Sequence, residues 1–238
     1  MAGTIERLDQ KWYPGVGNNW DDEALRERVL EILQPDMTVL DLGAGAGIVA
    51  QMNFKGLAAH VCGVDLDPRV LENPHLDDAK VSDAGEIPYP SEMFDLVVSD
   101  NVMEHLAEPE KVLSEIARVL KPGGHLIFKT PNRWHYMPFI ASLTPLAFHQ
   151  YMNRKRGRKS EDNFRTMYRL NSERAVRRLG SASGFEVLDV TLIEVRPEYL
   201  RFSALTYFAG MVYQRIVAGT EWLKHFRIVL IAHLRKLH

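Results

Sequence analysis

The segment VLDLGAGAG (39–47) decides the fold, because it joins a run of apolar residues to a turn that contains three glycines. The run from Met37 to Asp41 is short and apolar, which is typical of a buried strand. Glycine adopts positive φ angles without strain and lets ligand atoms approach the backbone. The sequence therefore predicts a strand that leads into a ligand-binding turn.

The spacing of the glycines argues against two common phosphate-binding loops. The dinucleotide pattern G-x-G-x-x-G would need its third glycine at position 48, where the chain has Ile48. A nucleotide-binding phosphate loop would need Lys and then Ser or Thr after the glycines, and the chain has Ile48-Val49 there. The turn Gly43–Gly47 therefore fits a different class of ligand.

Strand-like and helix-like segments alternate around this turn. A helix is predicted over Asp21–Leu33, and Ile48–Phe54 is expected to start another. Further strands are predicted at Val61–Asp65, Ala79–Asp83, Phe94–Asp100 and His125–Thr130. A helix is predicted at Pro109–Leu120, between the last two of these strands. This alternation predicts a parallel sheet with ligands at the carboxyl ends of its strands. Four carboxylates are expected around that crevice: Asp41, Asp65, Asp83 and Asp100.

The pattern changes after residue 130. Pro131–Leu170 is long and irregular, which is typical of a functional lid or insertion. A helix capped by Asn171 or Ser172 and ending near Ser183 is expected next. The remaining segments are a strand at Phe185–Leu192, an apolar helix at Tyr199–Ala218, and Arg227–Leu234, which fits a last strand or a short helix.

Composition sets the class of protein. The chain has 238 residues, of which 46% are apolar and 25% charged, as in ordinary globular proteins. Its one cysteine, Cys62, excludes an intramolecular disulfide and a Cys-rich metal framework, and favours a reducing, cytoplasmic setting. The first residues lack the apolar segment of a signal peptide, and no apolar run reaches the roughly 18 residues of a spanning helix.

The near-neutral net charge of -2 hides a segregation of charge. Residues 1–130 hold 11 Lys and Arg against 23 Asp and Glu, whereas residues 131–238 hold 18 against 8. Such a division predicts two surfaces with different partners.

Four ordered blocks resemble the class I S-adenosylmethionine-dependent methyltransferases, over roughly residues 20–195. The blocks are VLDLGAGAG (39–47), GVDLDP (63–68), SDAGEIPYPSEMFDLVVSDNVMEHL (82–106) and RVLKPGGHLIFKTPN (118–132). They are most similar to the branch that contains the ubiquinone and menaquinone biosynthesis methyltransferases. The resemblance implies an α/β, Rossmann-like fold with a seven-stranded, mostly parallel sheet of order 3-2-1-4-5-7-6. It also implies S-adenosylmethionine as cofactor and S-adenosylhomocysteine as product.

The resemblance implies one methyltransferase domain over 1–238. Its expected parts are an N-terminal cap helix (1–35), a cofactor-binding core (36–130), an acceptor lid (131–170), and the rest of the sheet with an apolar helix (171–238).

Ten residues are assigned to the cofactor by the resemblance. Asp41 would orient the amino group, Asp65 would accept both ribose hydroxyls, and Leu66 would lie against the adenine face. The turn under the methionine part would be formed by Gly43, Ala44, Gly45 and Gly47. Asp83 and Ala84 would contact the adenine edge, and Asn101 would lie near the methionine end. The cofactor is a net cation, so an acidic crevice suits it. A strand-end Asp is also often only a helix cap.

His105 and His135 are the candidate catalytic residues, because an acceptor that must lose a proton benefits from a nearby base. For His105 the alternative is a histidine that satisfies a helix end. Relatives carry a Glu-His pair at Glu104-His105 that in some members joins a carboxylate in holding a metal. Here that third position is Asn101, a weaker ligand, so no tightly bound metal is predicted.

The acceptor is expected to be small or amphipathic and anionic, because the insertion is rich in Arg and Lys. Its basic and aromatic residues are Tyr136, His149, Tyr151, Arg154, Lys155, Arg156, Arg158, Lys159, Phe164, Arg165, Tyr168 and Arg169. A solvated loop is the plainer alternative, and no nucleic-acid partner is expected at a pI of about 6.5.

The stripe Leu205, Phe208, Val212 and Ile216 leaves three alternatives open: contact with a membrane surface, a core position, or a homodimer contact. Two rival functions also stay open. One is a methyltransferase of a lipid or isoprenoid-quinone precursor at the membrane surface, and the other is a non-catalytic adenosylmethionine-binding module.

Overall fold

The structure of the protein is a computed structural model that describes residues 3–137 and 166–238. Its strands are β1 (Thr38–Leu42), β2 (His60–Asp65), β3 (Asp78–Val81), β4 (Phe94–Asp100), β5 (Leu120–Pro131), β6 (Phe185–Ile193) and β7 (Val229–Lys236). They form one seven-stranded sheet of order β3-β2-β1-β4-β5-β7-β6, which confirms the predicted order. Strand β7 is antiparallel to both neighbours, and the other paired strands are parallel.

Five α-helices and four short 3-10 helices lie in the described part of the chain. The α-helices are α1 (Thr4–Trp12), α2 (Trp20–Leu30), α3 (Pro109–Val119), α4 (Glu173–Ala182) and α5 (Ala204–Ala218). The 3-10 helices are Ala50–Met52, Pro68–Glu72, Met103–His105 and Glu221–Phe226. Within the two described ranges, no helix combines the length and the apolar character that crossing a membrane requires.

Alternation along the strands separates the core into two layers. On one face, Leu25 of α2 packs in the same cluster as Val98 of β4. On the other face, Val97 of β4 packs with Ile116 of α3 and Val176 of α4. All five side chains are fully buried. The sheet is therefore covered on both sides, and its carboxyl edge remains for ligands.

Several predicted elements are confirmed within a residue or two. Strand β4 has the predicted bounds, and Ser172 caps α4 by accepting a hydrogen bond from the Ala175 backbone N–H at 3.3 Å. The segment Arg227–Leu234, which fitted either type, belongs to strand β7 from Val229 onward, where it pairs with β5 and β6. Helix α5 begins at Ala204 and not at Tyr199, because Ser203 forms a capping box with Thr206.

The helix expected over Ile48–Phe54 is wrong, because the structure has only the 3-10 turn Ala50–Met52 there. The guanidinium of Arg26 on α2 donates to the carbonyls of Gln51 at 2.6 Å and Asn53 at 2.8 Å. These carbonyls are thus satisfied by a side chain from another element. Val49 is also in an extended conformation, so the turn has no continuous helical backbone to propagate.

The N-terminal segment contains two helices, α1 and α2, where the sequence predicted one cap helix. Helix α1 is attached to α5, because Tyr13 donates to Gln214 at 2.9 Å and Tyr207 donates to Asp9 at 3.0 Å. Trp20, at the start of α2, is buried in the core on the α2 face. Trp12 lies under the guanidinium of Arg215, 5.2 Å from the ring centroid.

Most of the predicted acceptor lid lies outside the described residues. This holds for His149, Tyr151, Phe164 and the basic residues from Arg154 to Arg165. Of the lid, the structure describes its first residues up to Met137 and its last ones from Thr166. There, Arg169 donates to the carbonyl of Ala107 at 2.6 Å.

Candidate functional site

A crevice of about 250 Å³ lies at the carboxyl ends of β1, β2 and β4. The residues that line it are Asp41, Gly43, Ala44, Gly45, Ala46, Gly47, Ile48, Val49, Met52, Asp65, Asp67, Arg69, Asn73, His75 and Asp100. Six of the ten residues assigned to the cofactor are thus brought together at the edge of the sheet where ligands of such folds bind.

The glycine turn forms the floor of this crevice. Gly43, Gly45 and Gly47 have φ angles of 87°, 49° and 70°, in the region that favours glycine. A Cβ on Gly43 would lie 2.1 Å from Cγ2 of Val102, and one on Gly47 would lie 2.4 Å from Oδ1 of Asn73. At Gly45 the nearest atom would be 3.9 Å away, so this residue leaves open space. The turn is closely packed at both ends and open in the middle.

Asp65 links the turn to the end of β2. Its Oδ2 accepts a hydrogen bond from the Gly45 N–H at 2.8 Å, and its Oδ1 accepts one from the Asp67 N–H at 2.8 Å. A carboxylate oxygen has two acceptor positions, so each oxygen retains one for a ligand. The carboxylate is therefore held in one orientation and can still accept two further donors.

Two further carboxylates give the crevice an acidic character. Asp41 is buried, and burial raises its pKa well above the usual range, with smaller effects from Asp100 and Asp65. Burial also raises the pKa of Asp100 to about 7, although the Lys129 ammonium opposes this rise. A cation that enters the crevice would favour the charged form of both carboxylates.

Lys129 of β5 lies in a buried cluster of charges beside the crevice. Its ammonium contacts Asp100 of β4 at 3.0 Å and two residues of α2, Asp21 at 2.8 Å and Asp22. The Lys129 side chain is only 1% exposed. Three carboxylates around one buried ammonium therefore attach α2 to the carboxyl ends of β4 and β5.

The other four residues assigned to the cofactor lie outside the crevice lining. Leu66 follows β2 and is 55% exposed. Asp83 accepts a hydrogen bond from the Gly85 N–H at 2.7 Å, and Ala84 packs against the core. Asn101 is exposed and has a φ angle of 53° directly after β4. Their roles toward a cofactor stay predictions.

Glu104 and His105 form the end of the 3-10 helix after β4. Glu104 is buried and accepts a hydrogen bond from the Thr130 hydroxyl at 2.9 Å, and burial raises its pKa to about 7. The His105 Nε2 lies 3.9 Å from Oε1 of Glu104, and its side chain is 28% exposed. The backbone carbonyl of Glu104 accepts from the N–H groups of Met167 and Tyr168. The returning end of the predicted lid is therefore hydrogen-bonded to this helix.

His135 is only 1% exposed and belongs to an aromatic cluster. Its ring centroid lies 4.1 Å from that of Tyr136 and 5.6 Å from that of Tyr213. Burial lowers the pKa of His135 to about 3, and its Nε2 lies 3.7 Å from Glu194, whose pKa burial raises to about 8. His135 is not part of the crevice lining. Its burial fits a packing role, and its catalytic role stays a prediction.

A family model described as a methyltransferase domain matches residues 19–190 of the chain. The chain belongs to this methyltransferase family. It is 34% identical over 131 residues to a ubiquinone biosynthesis O-methyltransferase from Thiobacillus denitrificans, a match that covers 48% of this chain and 56% of the relative. The chain thus spans about half the length of the curated relatives that it matches.

Solved structures of this methyltransferase family's fold superpose on most of the chain. An S-adenosylmethionine-dependent methyltransferase from Mesorhizobium loti has a TM-score of 0.59 at 18% identity. The match covers 92% of this chain and 98% of that methyltransferase. The [4+2]-cyclase SpnF also has a TM-score of 0.59, at 22% identity, and the match covers 90% of this chain and 80% of the cyclase. These likenesses show the class I Rossmann-like methyltransferase fold. Because a cyclase shares it, the fold alone does not decide the reaction.

Asn73 also lines the crevice, and the sequence pattern did not single it out. Its Nδ2 donates to the carbonyls of Ala44 at 2.9 Å and Gly45 at 3.3 Å, and its Oδ1 accepts from the His75 N–H at 2.9 Å. It therefore holds the glycine turn in place from a loop that is 28 and 29 residues away from these two partners. Nothing in the local pattern around Asn73 indicates this contact, whereas Asp100 could be found from its place at a strand end.

Proposed function

We propose that the protein is an S-adenosylmethionine-dependent methyltransferase that acts on a small or amphipathic, anionic acceptor. The observation that carries this proposal is the pairing of an open Gly45 backbone with the fixed Asp65 carboxylate in one acidic crevice. Family membership over residues 19–190 supports it. The sulfonium supplies an activated methyl group, so the protein has to align the reactants, exclude water and accept a proton where one is released.

The residues present fit the cofactor. Asp65 offers one acceptor position on each oxygen for the two ribose hydroxyls, and Asp41 with Asp100 offers negative charge to the ammonium and sulfonium. Gly45 leaves space for close approach to the backbone. Leu66, Asp83, Ala84 and Asn101 are proposed for the adenine and the methionine end, as the family resemblance implies.

An acceptor screen tests the activity. The formation of S-adenosylhomocysteine would be measured with panels of anionic, neutral and cationic acceptors. We expect turnover with an anionic acceptor, and a loss of at least tenfold in kcat/KM for Asp65→Ala at unchanged folding. Asp36→Ala, which removes an exposed carboxylate outside the crevice, is the matched control. S-adenosylmethionine binding without turnover of any acceptor would favour the non-catalytic module.

His105 is proposed as the general base, because it is partly exposed and follows β4 at the carboxyl edge. His105→Ala should lower kcat by about 10²–10⁴-fold for an acceptor that loses a proton. His105→Gln would show whether hydrogen bonding alone suffices. Normal turnover of His105→Ala, or a wild-type rate that does not change from pH 5 to 9, would contradict this role.

A second candidate is methylation of a lipid or isoprenoid-quinone precursor at a membrane surface. Helix α5 favours it, because Leu205 is 81%, Val212 56% and Ile216 52% exposed along one face. This exposure excludes the core alternative for the stripe. The helix contains no Asp or Glu, so nothing on it opposes an anionic bilayer. The names of the ubiquinone biosynthesis relatives fit the same acceptor class.

Vesicle flotation tests this second candidate. The protein should float with phosphatidylglycerol vesicles at low salt, and Leu205→Gln/Val212→Gln should reduce the bound fraction severalfold. Leu57→Gln/Leu188→Gln replaces two partly exposed leucines elsewhere and is the matched control. No flotation with anionic vesicles would exclude membrane contact. If the wild type is a dimer and Leu205→Gln/Val212→Gln is a monomer, the stripe is a homodimer contact.

A further inference from the structure

A second and larger crevice, of about 990 Å³, lies between α4 and the 3-10 helix Glu221–Phe226. We call it the α4 groove. It is lined by residues of α4, by residues of that 3-10 helix, and by Asn132, Trp134 and Leu192. None of the residues assigned to the cofactor or to catalysis belongs to it. Asn132 follows the carboxyl end of β5, so the groove opens at the same edge of the sheet as the cofactor crevice.

One wall of the α4 groove is a stripe of cationic side chains. Arg174, Arg177, Arg178 and Ser181 recur at the spacing i, i+3, i+4 and i+7, which places them on one face of α4. Lys224 comes from the opposite wall. Among the described lining residues Glu173 is the sole carboxylate, so four cationic side chains face one acid.

The pairing of these charges leaves two arginines available. Glu173 accepts a hydrogen bond from Nε of Arg177 at 3.0 Å, and Nζ of Lys224 lies 3.7 Å from the same carboxylate. Within residues 3–137 and 166–238, Arg174 and Arg178 have no ion pair or hydrogen bond to a side chain. Both are exposed and lie one helical turn apart. Two adjacent, unpaired guanidinium groups suit a group that offers several anionic oxygens.

The other part of the α4 groove is apolar. Trp134 is 58% and Phe226 44% exposed, which is unusual for large aromatic side chains. Leu192 also lines the groove. A ligand that fills this space should therefore have an anionic end and an apolar end.

We propose that the α4 groove binds an amphiphile with a phosphate head group, with the phosphate on Arg174 and Arg178 and the apolar part against Trp134 and Phe226. A dianionic phosphate matches the excess of positive charge better than a single carboxylate does. That this amphiphile is the methyl acceptor rests on the proposed function, because both crevices open at the carboxyl edge. Binding in the groove itself does not depend on methyl transfer.

Calorimetry with dodecyl phosphate below its micelle concentration tests the inference, at one fixed ionic strength. We expect binding that is at least tenfold weaker in Arg174→Ala/Arg178→Ala and severalfold weaker in Trp134→Ala. Inorganic phosphate should bind more weakly than dodecyl phosphate and be insensitive to Trp134→Ala. Dodecyl maltoside, which has the same chain and a neutral head, should bind at least tenfold more weakly than dodecyl phosphate.

The control variant is Lys121→Ala/Arg235→Ala, which removes two cationic side chains near the amino end of β5. It should bind dodecyl phosphate like the wild type. Equal binding of dodecyl maltoside, or unchanged binding by Arg174→Ala/Arg178→Ala, would overturn the inference. Binding of S-adenosylmethionine, measured on the same samples, separates the two claims. If the wild type does not bind S-adenosylmethionine, the proposed function is contradicted, whereas the inference about the α4 groove is unaffected.

Discussion

At the scale of single residues, the crevice brings three carboxylates together, and two of them, Asp41 and Asp100, are largely buried. Asp41, Asp65 and Asp100 lie at or next to the carboxyl ends of three neighbouring strands, and burial disfavours the charged forms of Asp41 and Asp100. A cationic ligand reverses this effect, because it stabilises the ionised carboxylates. Ligand binding and proton release should therefore be coupled in this site.

We predict that the affinity for S-adenosylmethionine rises with pH. The pKa of Asp100 is raised to about 7, so below that value the carboxyl is largely protonated and attracts a cation less. The dissociation constant should fall as the pH increases from 5.5 to 7 and level off above. Calorimetry across this range measures it, and Asp100→Asn should reduce the pH dependence, while Asp41, whose pKa is also raised, retains a part of it. A profile that is already flat in the wild type would contradict the coupling.

Backbone conformation gives a second prediction at this scale, for Gly43 and Gly56. Their φ angles are 87° and 81°, but a Cβ on Gly43 would lie 2.1 Å from Val102, whereas one on Gly56 would meet nothing within 4 Å. Gly56→Ala should cost about 1 kcal/mol from the φ angle. Gly43→Ala should cost about 1–3 kcal/mol more, from overpacking. Urea unfolding gives both values, and equal costs would contradict this account.

At the scale of elements, local patterns predicted most of the strands and few of the connections. Strand β4 and helix α3 were predicted to within a residue because apolar spacing and the flanking residues determine them. The helix over Ile48–Phe54 failed because Arg26, which is distant in sequence, takes the carbonyls of the segment. The contact of Asn73 with the glycine turn is equally nonlocal. Chemistry at strand ends is thus readable from sequence, whereas tertiary contacts are not.

The attachment of α2 to the sheet leads to a prediction about the stability of the protein. Lys129→Met leaves Asp21, Asp22 and Asp100 without their ammonium, so it should destabilise the protein by about 3–5 kcal/mol. Lys121→Met is the control, because Lys121 is 44% exposed and its pair with Asp95 should be worth at most about 1 kcal/mol. Chemical denaturation measures both. Similar losses in the two variants would show that the buried cluster does not fix α2.

At the scale of the whole molecule, the two halves of the chain bring different charge to one sheet. The acidic half, residues 1–130, builds the crevice at β1, β2 and β4, and the basic half, residues 131–238, contributes α4 with its arginines. Asn132, which follows β5, lines the α4 groove, and Asp65 and Asp100 at the ends of β2 and β4 line the other crevice, so both crevices lie at the carboxyl edge of the sheet. This arrangement fits the proposal that a cationic cofactor meets an anionic acceptor at this edge.

The central claim is that the acidic crevice binds S-adenosylmethionine, and titration calorimetry of the purified protein tests it most directly. We predict saturable binding of S-adenosylmethionine and S-adenosylhomocysteine, weakened at least tenfold by Asp65→Ala and unchanged by Asp36→Ala, with all variants folded. Absence of binding in the wild type, or binding that Asp65→Ala leaves unchanged, would contradict the claim.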